Sequence, residues 1–184
     1  MEISFSLLDG NQAATSADEF LGLYEEVYAD PPYGWGADRA AFFGRRLAVQ
    51  CRQPDFVLAQ ARNGDYLVGY AFGLPLRSST DWWRGLTVPL SAEITTEYSG
   101  RSFALAELQV RAPWRRQRIG ETLHDLIIAG RPEERAVAAI LPSAGPAQSA
   151  FKTWGWRKLA RKHDPGPGSP VLDVIVRDLS AGSG

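Results

Sequence analysis

Cysteine occurs once in the 184 residues, as Cys51, and histidine only twice. A lone cysteine excludes an intramolecular disulfide and any multi-cysteine zinc site, and it fits a reducing cytoplasm. Cys51 itself should close a helix, with nothing nearby to activate its thiolate. His124 and His163 have no partner at helical ligand spacing, so no metal is expected and each reads as a surface or packing residue. Long apolar runs are missing: nothing approaches the ~20 residues that span a bilayer, and residues 1–5 show no basic leader followed by an apolar stretch. Neither membrane insertion nor export is expected, and the location should be cytoplasmic. Neither sign of charge dominates, with 20 Lys+Arg against 21 Asp+Glu and a net charge of −1. That balance argues against nucleic acid or an anionic membrane as partner. Lysine is scarce, three against seventeen arginines, a bias expected of a GC-rich bacterial genome.

What remains is 45% hydrophobic and 22% charged, ordinary for a soluble protein. One domain over 1–180 with a flexible tail at 181–184 is expected. Residues 3–8 alternate as a first strand. Ser16 and Glu19 offer a capping box for a helix bearing Phe20, Leu23, Tyr24 and Val27, stopped at Asp30-Pro31-Pro32. A second helix is predicted over 38–51. Strands at 56–60 and 66–76 flank an Asn63-Gly64 hairpin signal and should pair antiparallel. A strand follows at 102–110, then a helix at 119–129 with Ile119, Leu123, Leu126 and Ile127 inward and Gly130 just past its end. The run at 136–141 is apolar enough for a central buried strand. A helix at 146–154 begins with proline in its first turn, and strands at 156–161 and 171–179 finish the sheet around a Pro/Gly-rich loop holding His163.

Against the near-neutral whole, Val-Arg-Ala-Pro-Trp-Arg-Arg-Gln-Arg-Ile-Gly at 110–120 concentrates Arg111, Arg115, Arg116 and Arg118 in one turn. A strand ending at Val110 and a helix starting near Ile119 leave backbone N–H groups unpaired at the positive end of the helix dipole, a setting that binds phosphate. Guanidinium groups add bidentate donors suited to more than one phosphate. A solvated basic turn is the alternative reading; nucleic-acid binding through the loop is a weaker one, because the positive charge is confined to one turn. Neither Gly-Lys-Ser/Thr nor Gly-x-Gly-x-x-Gly is present.

This strand, loop and helix resemble the acyl-coenzyme A signature of the GNAT superfamily of N-acyltransferases, Gln/Arg-x-x-Gly-x-Gly/Ala, with Arg115 at its first position and Gly120 at its last. The stretch 146–156, Pro-Ala-Gln-Ser-Ala-Phe-Lys-Thr-Trp-Gly-Trp, is similar to the family segment that runs from an Asn through an Ala and a Tyr to Gly-Phe. The order of elements agrees over 3–179. The sequence departs from the family at Arg118 in place of the penultimate glycine, Ala144 in place of the Asn, and Phe151 in place of the Tyr. A right-handed first helical turn is expected at Arg118, since a left-handed one would cost about 1 to 2 kcal/mol.

The resemblance implies an α/β (α+β) three-layer fold: a mixed, mostly antiparallel seven-stranded sheet with splayed parallel central strands, flanked by about four helices. It implies direct acetyl transfer from acetyl-coenzyme A, a cosubstrate, to an amine. The cofactor-binding residues would be Leu108, Val110, Arg115, Arg116, Gln117, Arg118, Ile119, Gly120, Glu121, Thr122 and Phe151. Glu107 is the candidate catalytic base: it interrupts the apolar run 103–106, where a carboxylate must be paired, wet or used. Its alternatives are a solvated acid or a salt-bridged one. Phe151 cannot protonate the departing thiolate, so the proton should come from solvent or from water held by Gln148 or Ser149. Tyr33 and Trp35, near Tyr28, together with Trp82 and Trp83, would bind a small-molecule amine, with packing under loops as the alternative. The chain should act as a monomer or homodimer; a carrier-binding sensor without turnover is the rival reading.

Overall fold

The computed structural model describes residues 2–179; the tail expected at 181–184 lies outside the described residues. In chain order the elements are β1 (Ile3–Asp9), α1 (Gly10–Thr15), α2 (Ala17–Ala29), α3 (Ala37–Gln50), β2 (Val57–Asn63), β3 (Tyr66–Pro75), α4 (Ala92–Thr95), β4 (Ser102–Val110), α5 (Ile119–Ile128), β5 (Arg135–Ile140), α6 (Gly145–Thr153), β6 (Arg157–His163) and β7 (Val171–Asp178). The strands hydrogen-bond in the order β1-β2-β3-β4-β5-β7-β6. The pairs β1–β2, β2–β3, β5–β7 and β6–β7 are antiparallel, and β4–β5 is parallel over Ser102↔Arg135, Phe103↔Ala136 and Ala104↔Val137. The mixed sheet with its parallel central pair is the expected architecture. No helix among the described residues is long and apolar enough to cross a membrane.

The chain divides into two compact units, residues 2–74 with 105–130, and residues 75–104 with 131–179. In the first, α2 and α3 bury Phe20, Leu23, Tyr24, Phe43 and Leu47 in a core completed from β2 and β3 by Leu58, Leu67, Tyr70 and Phe72. Gly69 in β3 has a packing reason: a methyl group there would stand 2.8 Å from the Gln109 carbonyl oxygen and 3.2 Å from Leu123 Cδ1. In the second unit Ala104, Val137, Val174 and Val176 form the core with Leu76 and Trp83.

Several expectations need correction. Asp9, not Ser16, carries the capping box: its carboxylate accepts from Gln12 N at 2.8 Å while Asp9 N donates to Gln12 Oε1 at 2.9 Å, nucleating the unexpected α1. Ser16 makes no side-chain cap bond, because it ends α1 and begins α2 with φ −113° and ψ 18°, outside the extended backbone an N-cap serine adopts. With α1 and the one-turn α4, six α-helices lie among the described residues rather than about four. Leu126 is exposed, and the inner face of α5 is Ile119, Leu123, His124, Ile127 and Ile128. His163 closes β6 instead of lying in the loop.

Candidate functional site

In the first unit, β4 delivers the chain into a 3-10 turn at Ala112–Trp114, and only four residues remain before α5 begins. So short a reversal forces unusual backbone: Arg116 has φ 60°, and Arg118 has φ 62° and ψ 8°. The right-handed turn expected at Arg118 is therefore not formed. Arg118 is the N-cap of α5 in left-handed conformation, the geometry for which glycine is the permissive residue. Among the described residues, the backbone N–H groups of Arg116, Gln117, Arg118, Ile119, Gly120 and Glu121 have no acceptor, whereas Thr122 N already bonds Arg118 O at 3.0 Å. Those of Ile119, Gly120 and Glu121 are the first-turn donors at the positive end of a ten-residue helix.

The side chains of this loop divide sharply. Arg111 is committed to the fold: its Nε donates to Leu67 O at 2.8 Å, its guanidinium pairs with Glu26, and it lies 4.7 Å over the Tyr66 ring. It does not join the exposed arginines as the sequence suggested. Arg115 donates from Nε to Val110 O at 2.9 Å and is otherwise exposed, and exposed Arg116 makes no side-chain hydrogen bond or ion pair among the described residues. Arg118 donates to Glu121 at 2.8 Å with its side chain 82% exposed. Gln117 bonds Pro113 O, and Thr122 Oγ1 bonds Arg118 O. Ile119 is buried beneath the loop, and Leu108 and Val110 are half-buried on β4.

Also in the first unit, half-buried Glu107 accepts from the Tyr28 hydroxyl at 2.9 Å and from Gln109 Nε2 at 3.1 Å, both at Oε2. Tyr28 meets Tyr33 and Trp35 with ring centroids 4.5 Å away in each case, and the Arg39 guanidinium covers Trp35 at 4.2 Å. The fold thus brings Glu107, Tyr33 and Trp35 into one cluster, with Tyr28 as the connecting ring. A groove of about 220 Å³ opens beside it, walled by Tyr24, Tyr28 and Trp35 with Glu25 at its edge. Burial and then the Glu107 charge hold the Tyr28 phenol well above its ordinary range; the same two causes raise Tyr33, with Arg115 acting the other way. Sequence reading missed Gln109, although its i,i+2 spacing from Glu107 puts both on one face of β4.

Trp82, Trp83 and Phe151 lie in the second unit. Trp83 is buried, its indole N–H donating to Glu97 at 2.8 Å; Lys162 sits 3.8 Å over the Trp82 ring and donates to the Trp82 carbonyl. Phe151 is buried edge-on to Trp154 and Trp156 at 5.3 Å each. Gln148 is held by Leu141 O and Asp173, while Ser149 is exposed. Ala144 is the buried N-cap of α6, with no side chain to bond the helix end. No group of three or more His, Cys, Asp and Glu side chains among the described residues is placed to hold a metal ion.

The chain has the fold of the GNAT-family acetyltransferases. It is similar to a protein described as a GNAT-family acetyltransferase from Desulfovibrio desulfuricans, with 12% identity over 97% of this chain and 99% of that one and a TM-score of 0.66. It is also similar to the PaiA N-acetyltransferase of Thermoplasma acidophilum in complex with coenzyme A, with 12% identity, the same coverage and a TM-score of 0.61. A third likeness is to the ribosomal-protein-S18-alanine N-acetyltransferase of Escherichia coli, with 12% identity over 99% of this chain and 97% of that one and a TM-score of 0.65. No protein-family model and no curated protein sequence matches the chain.

Proposed function

We propose that this chain is an acyl-coenzyme A-dependent N-acyltransferase that moves an acetyl or other short acyl group to the amine of a small molecule. The observation that carries the reading is the loop before α5, where consecutive unpartnered N–H groups from Arg116 to Glu121 stand beside the exposed guanidiniums of Arg115 and Arg116. That donor set fits a diphosphate. The coenzyme A in the PaiA structure supports the same assignment. In this reading residues 115–122 receive the diphosphate, and the β4 backbone at Leu108 and Val110 pairs with the amide-bearing arm that leads to the thioester.

The cluster around Glu107 supports an amine acceptor. An alkylammonium with a pKa near ~10 must lose a proton before it attacks. Glu107 takes that proton, the nitrogen lone pair attacks the thioester carbonyl carbon, the C–N bond forms as the C–S bond breaks, and the nitrogen gives its second proton to solvent water to leave the neutral amide. The departing thiolate, with a pKa of about 8 to 9, takes a proton from water, so Phe151 needs no hydroxyl. Glu107 then returns its proton to solvent. Tyr33 and Trp35 offer aromatic faces to the incoming cation, and the small adjoining groove favours a small molecule.

Incubation with acetyl-coenzyme A and a panel of alkyl and arylalkyl amines, following free thiol and acetylated product by mass, tests the reading. Turnover is expected on at least one amine, lowered about a hundredfold or more by Glu107→Gln with coenzyme A affinity changed less than twofold. Coenzyme binding without product from any amine would identify a carrier-binding sensor instead, and product only from peptide N-termini would move the acceptor to proteins.

A further inference from the structure

Tyr28 and Glu107 are 79 positions apart in sequence, yet the Tyr28 phenol and the Gln109 amide donate to one oxygen of the Glu107 carboxyl, at 2.9 and 3.1 Å. Building on the acyltransferase reading of Glu107, we propose that Tyr28 is its positioning residue: with Gln109 it fixes the carboxyl through Oε2 and keeps it ionised, ready to accept the proton of an ammonium substrate.

Three observations carry this. The Tyr28 ring cannot swing, because Tyr24 and Tyr33 meet it edge-on at 4.5 Å each and Trp35 lies tilted against it at 4.5 Å. The phenol remains a donor throughout the working pH range, since burial and the neighbouring carboxylate both oppose its ionisation. The acceptor is a half-buried carboxyl, for which desolvation favours the neutral form while donated hydrogen bonds favour the charged one. Two such bonds on one oxygen oppose that desolvation. Among the described residues, the titratable groups that feel its charge include Tyr28 from α2, Tyr33 from the loop after α2 and Tyr70 from β3, with Tyr24 and Arg115 coupled to those phenols.

The experiment is an NMR titration of protein labelled with 13C at glutamate carboxyls, the Glu107 resonance being assigned by its loss in Glu107→Gln. Removing a hydrogen bond to the charged form must raise the carboxyl's midpoint, so Tyr28→Phe is expected to move it upward by about one pH unit or more. Gln109→Met should move it in the same direction by less. Tyr28→Phe keeps the ring contacts, and near-UV circular dichroism checks that both variants retain native packing. A midpoint unchanged in both variants overturns the proposal. With an amine acceptor in hand, the acid limb of kcat/KM against pH should shift upward with the midpoint in Tyr28→Phe. A limb that stays fixed while the carboxyl midpoint moves overturns Glu107 as the base, and leaves standing the hold of Tyr28 on its carboxyl.

Discussion

Arginine is used in two opposite ways in this molecule. In the second unit, Arg135 donates to Ser102 Oγ at 2.7 Å, Ile94 O at 2.7 Å and Glu97 at 2.9 Å, and that same Glu97 oxygen also accepts from Trp83 and Ser102. Arg131 binds Glu133 through two nitrogens and lies 4.0 Å over Phe103. Every one of these guanidiniums is engaged. In the loop before α5, among the described residues, Arg116 makes no side-chain hydrogen bond or ion pair, Arg115 and Arg118 each make one, the backbone N–H groups from Arg116 to Glu121 have no acceptor, and the chain is left-handed at two positions. Saturated arginines hold a fold together, whereas exposed donors on a left-handed backbone are left available to a ligand, the role proposed for them above.

The comparison breaks first at Glu97. Glu97→Ala strands a desolvated Arg135 and removes the acceptor of Trp83 and Ser102, so urea unfolding should show a loss of about 3 to 5 kcal/mol; a loss under ~1 kcal/mol would place Glu97 among the surface charges. Arg111 sharpens the division from within the loop's own sequence. Because it bonds Leu67 O, pairs with Glu26 and covers Tyr66, Arg111→Ala should destabilise by about 1 to 3 kcal/mol. Coenzyme A affinity, measured by calorimetry, should change less than twofold. The smallest effect has the opposite sign. Arg118→Gly removes the left-handed penalty at φ 62° and gives up only an exposed ion pair. The unfolding midpoint should rise by an amount equivalent to about 1 kcal/mol with the m-value unchanged.

Most of the framework was legible in the sequence because its signals are local. The end of β4 at Val110, the start of α5 at Ile119 and the left-handed Gly130 beyond it follow from apolar periodicity and helix-stop chemistry. The β2–β3 hairpin follows from Asn63-Gly64, with Asn63 paired to Tyr66 across a two-residue loop. Local signals also misled where two compete. Asp9 and Ser16 both begin helices, and only the first forms a capping box, because Gln12 returns its bond whereas the Glu19 carboxylate is held by Arg62. Apolarity and the helical spacing of Ile119, Leu123 and Ile127 both put Leu126 inside, whereas the fold turns α5 so that His124 and Ile128 are buried and Leu126 is exposed. The backbone angles of Arg116 and Arg118 arise from the brevity of the connection, which residue identity hides. The Tyr28–Glu107 contact joins a helix to a strand far along the chain, so no periodicity reveals it.

The central claim is that the unpartnered amides and exposed guanidiniums before α5 bind the diphosphate of coenzyme A. Calorimetric titration of coenzyme A into the wild-type chain and the Arg115→Ala/Arg116→Ala double variant, with urea unfolding of both as control, addresses it most directly. The account predicts a loss of coenzyme A affinity of at least tenfold with stability changed by less than about 0.5 kcal/mol. Unchanged affinity in a stably folded double variant would contradict it.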